Sequence, residues 1–93
     1  MPEISRFYGI IIRMFTETGA QHHVAHIHAY YQNQKATYRI DVVELLAGSL
    51  PRRQQRLVEA WIELYQEELL RNWQRVCAGE PIAPVPPLSR EEQ

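Results

Sequence analysis

Residues 51–79 read PRRQQRLVEAWIELYQEELLRNWQRVCAG, and this stretch decides the fold because it is long, periodic and free of Gly and Pro between its ends. Stepping about 100° per residue from Val58, the side chains of Val58, Trp61, Ile62, Tyr65, Leu69, Trp73 and Val76 fall inside a stripe about 120° wide. Glu59, Glu63, Glu67, Arg71 and Gln74 occupy the back, where Glu67 and Arg71 form an i,i+4 pair in the favourable orientation. The pattern predicts one amphipathic helix laid by its apolar face on a sheet. Ser49 is the expected N-cap, and Pro51 costs nothing in the first turn. Gly79 and Pro81 stop the helix. Its length is about 40 Å at 1.5 Å per residue.

The strands that such a helix would cover lie upstream. Residues 6–15 alternate Tyr8, Ile10, Ile12 and Met14 against Phe7, Ile11 and Phe15, with Gly9 and Arg13 interrupting the second set, and read as a central strand. A polar loop follows. Residues 26–31 and 36–43 then form a hairpin, and a two-residue loop at Asn33 and Gln34 pairs Tyr31 with Ala36, His28 with Arg39 and His26 with Asp41. One face of that hairpin holds Ile27, Ala29, Tyr31, Ala36, Tyr38 and Ile40. The other holds His26, His28, Tyr30, Thr37, Arg39 and Asp41. Residues 44–46 offer a short extra strand before the helix.

Strands of six to eight residues span only about 20–27 Å at ~3.3 Å each, so the helix overhangs the sheet and leaves Leu69, Trp73 and Val76 to be covered. The tail PIAPVPPL, residues 81–88, is one cover, because Ile82, Val85 and Leu88 recur at the three-residue period of a polyproline helix. A second copy of the chain, making a homodimer, is another. A kink near Gln66 is a third. The fold class is α+β: an antiparallel sheet of three to four strands, one long or kinked C-terminal helix on one face and a Pro-rich tail. Residues 1–88 form a single domain and residues 89–93 a disordered end.

Size and composition bound the function. Ninety-three residues suffice for one core, and 45% hydrophobic with 23% charged residues is ordinary globular composition. Ten basic and eleven acidic residues give a formal charge of −1, so bulk electrostatics attract neither nucleic acid nor an anionic membrane. The lone Cys77 forms no internal disulfide, the N-terminal residues lack a signal-peptide run, and the apolar run 8–12 is too short to span a bilayer. A cytoplasmic location is expected.

Three constellations bear on chemistry. His22, His23, His26 and His28 lie within seven residues, and His26 and His28 project from one strand face about 6.6 Å apart. With His23 they make a three-nitrogen set of the kind Zn²⁺ takes, Asp41 being the only residue placed to help as second shell. No other cofactor is indicated. In a metal-free alternative, His26, His28, Tyr30, Arg39 and Asp41 supply a base, an acid and a cation to a phosphodiester, the parts of a metal-independent ribonuclease. Asp41 opposite His26 favours its charged form there, and Arg39 opposite His28 the neutral form. An open sheet face lacks the concavity of most catalytic sites, and a solvated or partner-binding face competes with both readings. Arg52, Arg53 and Arg56 sit at the end of the helix where cations oppose its dipole, which suits a bound anion or partner carboxylate, against the plainer reading of solvated charge. Cys77 reads as structural. Gly-rich phosphate loops, a Ser-His-Asp arrangement and paired cysteines are all missing.

The segments MPEISRFYGIIIRMF, HIHAYY followed by YRIDV, GSLPRRQQRLVEAWIELYQEELLRNW and GEPIAPVPPL together resemble the domain of unknown function 4160, a small bacterial family, from Pro2 to about Leu88. That family usually places Pro-Pro before its His-hydrophobic-His element, whereas Val24 and Ala25 stand here. The resemblance implies no activity or catalytic residue. It does imply a context, because such genes commonly neighbour another small gene in an arrangement like that of toxin–antitoxin pairs, so a protein partner is expected. The reading favoured over an enzyme is therefore a bacterial interaction module, binding its partner through the overhanging Leu69, Trp73 and Val76 or through the histidine face.

Overall fold

A computed structural model describes residues 3–16 and 24–88. It is an α+β fold, in which β1 (Glu3–Phe7), β2 (Ile10–Arg13), β3 (His26–Tyr31), β4 (Gln34–Arg39) and β5 (Glu44–Gly48) form one antiparallel meander in sequence order, followed by α1 (Arg52–Leu64) and α2 (Gln66–Cys77). Among the described residues the sheet thus has five strands, not three or four. The expected single strand over residues 6–15 is a hairpin, with Phe7 opposite Ile10 and a two-residue loop at Tyr8 and Gly9. Both loop residues have positive φ, 50° and 78°, which is the primed turn that matches strand twist and that Gly tolerates. Gly9 is therefore a turn residue, although in a strand reading it interrupts a face.

The second hairpin corrects the expected register. Its loop is Gln32 and Asn33, with Gln32 at φ 55°, so Tyr31 faces Gln34, His28 faces Thr37, Ile27 faces Tyr38 and His26 faces Arg39. The shift is two residues. An even shift preserves which side chains share a face, so Ile27, Ala29, Ala36 and Tyr38 still point together into the core. Gly48, at φ +69°, lies where an added Cβ would meet the Lys35 carbonyl oxygen at 2.2 Å, so β5 pairs closely with β4 only because that residue is glycine.

Ile4, Phe7, Ile10, Ile12, Met14 and Ile27 are buried with Val58, Trp61 and Ile62 from α1 and Leu69 from α2. The Phe7 and Trp61 rings lie 5.3 Å apart. Pro51, not Ser49, occupies the N-cap position, without a side-chain cap bond; instead the Leu50 N–H donates to Gln55 Oε1 at 3.1 Å. The predicted single helix is two. It breaks at Tyr65 (φ −113°, ψ 28°), so the kink is realised, and so is the tail cover, with Val85 in the core and Ile82 and Leu88 packed against it. A straight helix over residues 52–77 would run about 39 Å, whereas the molecule's longest dimension is 34 Å. The break brings the Gln66 amide to the exit of β4, where Nε2 donates to the carbonyls of Ile40 (2.9 Å) and Asp41 (3.0 Å). Arg71 pairs with Glu68 at 3.8 Å, in place of the expected Glu67.

One pair ties α1 to the sheet. The fully buried Tyr38 donates its hydroxyl to Glu59 Oε2 at 2.7 Å, so Glu59 belongs to the packed edge of the helix and not to its solvated back. Burial pushes the phenol pKa well above its ordinary 10.0, and the Glu59 hydrogen bond pushes the same way. A raised folded-state value leaves the stabilisation intact below the unfolded pKa and removes it as pH rises beyond it. In urea titrations, the wild type should lose up to about 1.4 kcal/mol per pH unit above pH ~10 that Tyr38→Phe does not lose. At pH 7 the variant should be about 1–2 kcal/mol less stable.

Candidate functional site

β3 presents His26 and His28 on the face opposite Ile27 and Ala29, as strand alternation requires. That face is not wet here. His26 is 1% exposed and His28 5%, which overturns the expectation of open imidazoles above solvent. The cover comes from both sides. The Phe15 ring stacks on His28 at 4.3 Å and 8° between planes, and Trp73 of α2 lies 4.9 Å from the His26 ring. The two imidazoles meet edge to face at 5.1 Å.

Their Nδ1 atoms are both engaged. Val24 O lies 2.8 Å from His26 Nδ1, and because a carbonyl only accepts, the proton sits on that nitrogen. Thr37 Oγ1 lies 3.3 Å from His28 Nδ1. The carbonyl anchor is Val24, two residues before the ring it holds.

The remaining members of the predicted catalytic set divide. Tyr30 shares the histidine face, half-buried, with the Arg13 guanidinium 5.0 Å from its ring centre. Arg39 lies opposite His26 and not His28. Asp41 lies beyond the end of β4 and is not opposite His26, so neither the expected Asp41–His26 pairing nor the expected Arg39–His28 pairing is formed. Instead Arg39 forks Asp41, through Nε to Oδ1 and Nη2 to Oδ2 (3.0 Å). That fork, with the Val42 N–H beside it, holds the Asp41 carboxyl below its ordinary pKa. The structure therefore groups His26, His28 and Tyr30, and pairs Arg39 with Asp41 at the rim.

His23 lies outside the described residues, so the three-histidine set is not placed. Among the described residues no group of three or more His, Cys, Asp or Glu comes together to hold a metal ion. Arg52, Arg53 and Arg56 are exposed at the start of α1, whose first turn holds no acidic residue. Of the expected interface, Leu69 is fully buried in the protein's own core, while Trp73 and Val76 are half-buried against it. Cys77 is exposed. No helix among the described residues is long and apolar enough to cross a membrane.

The model of the domain of unknown function DUF4160 matches residues 9–74, which contain β2 to β5, α1 and most of α2. The chain belongs to the DUF4160 family. The match is narrower than the resemblance from Pro2 to Leu88, because it leaves out β1 and the tail of this DUF4160 chain. No curated protein and no solved structure gives a significant match.

Sequence reasoning missed two residues that organise this molecule. Asn72 is 1% exposed and lies about 40° from the centre of the helical stripe, where a lone amide among apolar side chains was a legible signal. Gln66, at the stripe's margin, was named only as the place of a kink, and nothing local pointed to its bonds with the Ile40 and Asp41 carbonyls.

Proposed function

We propose that this chain is a small bacterial, cytoplasmic protein-binding module of a two-gene, toxin–antitoxin-like system, and that an extended segment of its partner protein lies along β5. One observation carries the reading: the two edges of the sheet are treated differently. At β1 the Ile4 carbonyl already accepts the Val85 N–H at 3.0 Å. At β5, the last strand of the sheet, four of five residues are exposed and only Glu44 is charged. An edge with so few charges and no proline is a template for strand addition. Leu45 is 39% exposed and Val42, in the preceding turn, 56%, which supplies apolar contact beside the main-chain bonds.

Burial also argues against the surfaces first expected to serve. His26, His28 and Leu69 are covered by the chain itself, with Trp73 against His26 and Phe15 against His28, so the ribonuclease alternative loses its open face. Co-expression with the adjacent gene should recover that gene's product in a pull-down. Leu45→Lys should cut the recovery at least tenfold while shifting the melting temperature by no more than a few degrees, since exposed substitutions rarely exceed about 0.5 kcal/mol. Unchanged recovery from the lysine variant would reject β5 as the contact.

A further inference from the structure

The tail after α2 is held in the manner of a bound peptide. Ala78–Gly79 turn the chain out of the helix, with Glu80 N–H reaching back to the Arg75 carbonyl at 2.8 Å, and Gly79 at φ +75° has nothing within 4 Å of where a Cβ would be. Residues 81–88 then run back antiparallel to the helices. Asn72 donates from Nδ2 to the Ala83 carbonyl and accepts the Ala83 N–H at Oδ1, both at 2.8 Å. Val85 donates its N–H to Ile4 O at 3.0 Å, and Trp61 Nε1 donates to the Pro86 carbonyl at 2.8 Å.

All four of these bonds are made to the tail's main chain. They read any extended backbone and are indifferent to its side chains. Selectivity comes from apolar side chains at every third position: Val85 is 4% exposed, and Ile82 and Leu88 are half-buried. An indole N–H donating to a carbonyl next to proline, with an amide clamp on the main chain, is the chemistry by which aromatic-lined grooves take proline-rich segments.

We propose that the groove between β1 and the two helices, formed by Ile4, Trp61 and Asn72, is a binding site for an extended proline-containing peptide of another protein with apolar residues three apart. Residues 81–88 are its resident ligand in cis. The tail's own docking states the occupant's chemistry. It also explains why the site is closed at rest, because a tethered ligand competes at an effective concentration of about millimolar. This site is separate from β5 and does not depend on it.

The probe is a fluorescently labelled synthetic peptide of sequence EPIAPVPPL, titrated into the full chain by polarisation. Val85→Asp and the milder Val85→Ser loosen the resident tail while leaving Ile4, Trp61 and Asn72 in place, and the variant that keeps the wild-type circular dichroism is used. It should bind the peptide saturably and at least tenfold more tightly than the wild type does, and a peptide with aspartate at the valine position should not bind. Equal affinity for wild type and variant, or no binding to a folded variant, would overturn the proposal. Unfolding of both variants would overturn it too, since the tail would then be part of the core and not a ligand.

Discussion

Replacing His26 and His28 together with alanine should unfold the protein or lower its melting temperature by tens of degrees. Each imidazole is buried against aromatic rings, His26 against Trp73 and His28 against Phe15. Truncating a buried ring costs the contact area and leaves a cavity, and at His26 it also strips the Val24 carbonyl of its donor, so a loss of about 2–3 kcal/mol per site is expected. The sum approaches the roughly 5–15 kcal/mol that holds a domain together. Because the two rings touch, at 5.1 Å, the losses should not be additive: the second substitution removes contacts the first has already weakened. Circular dichroism melts of both single variants and the double variant measure this directly. A pair of surface catalytic histidines would leave the melt unchanged, so a double variant melting within about 3 °C of wild type would contradict the packing described for this face.

That prediction reverses the one a reader of the sequence would make, and the reason is instructive. Alternation along β3 correctly separated the histidines from Ile27 and Ala29, because the period of a strand is set by its pleat. Alternation says nothing about what covers the second face. The cover includes Trp73, on the far side of the helix break at Tyr65, and no Pro or Gly marks that break. Its visible anchor is the Gln66 amide on the Ile40 and Asp41 carbonyls, a contact between residues 25 or 26 apart that no local pattern encodes.

Register was hidden for a related reason. The pairings with the loop at Asn33–Gln34 and at Gln32–Asn33 differ by two residues, so both sort the apolar and polar sets identically. Turn chemistry had to choose, and neither loop carries Asn-Gly. The consequence reaches the site, since Thr37 and not Arg39 faces His28, and Arg39 is free to fork Asp41. By contrast the three-residue spacing of Ile82, Val85 and Leu88 was legible, and the tail does turn that row of side chains inward. What it docks against was legible only in part, through the lone Asn72 inside an apolar stripe.

Asn72→Ala should therefore be the most damaging polar-to-small substitution in α2, with an expected loss of about 2–3 kcal/mol. For a domain of this size that is a fall of about 10–20 °C in melting temperature. The amide makes three bonds, donating from Nδ2 to Ala83 O and accepting at Oδ1 from the Ala83 N–H and from Arg75 Nη1 at 2.9 Å, and alanine leaves the Ala83 groups without those partners. Asn72→Leu separates the two contributions. Leucine keeps apolar volume on the stripe but cannot clamp a main chain, so it should recover packing and still release the tail. The readout for release is limited proteolysis: both variants should be cut within residues 80–88 at protease levels that leave the wild type whole. A leucine variant as resistant as wild type would mean that Trp61, Ile4 and the apolar row hold the tail unaided, and that the amide merely satisfies groups already in place.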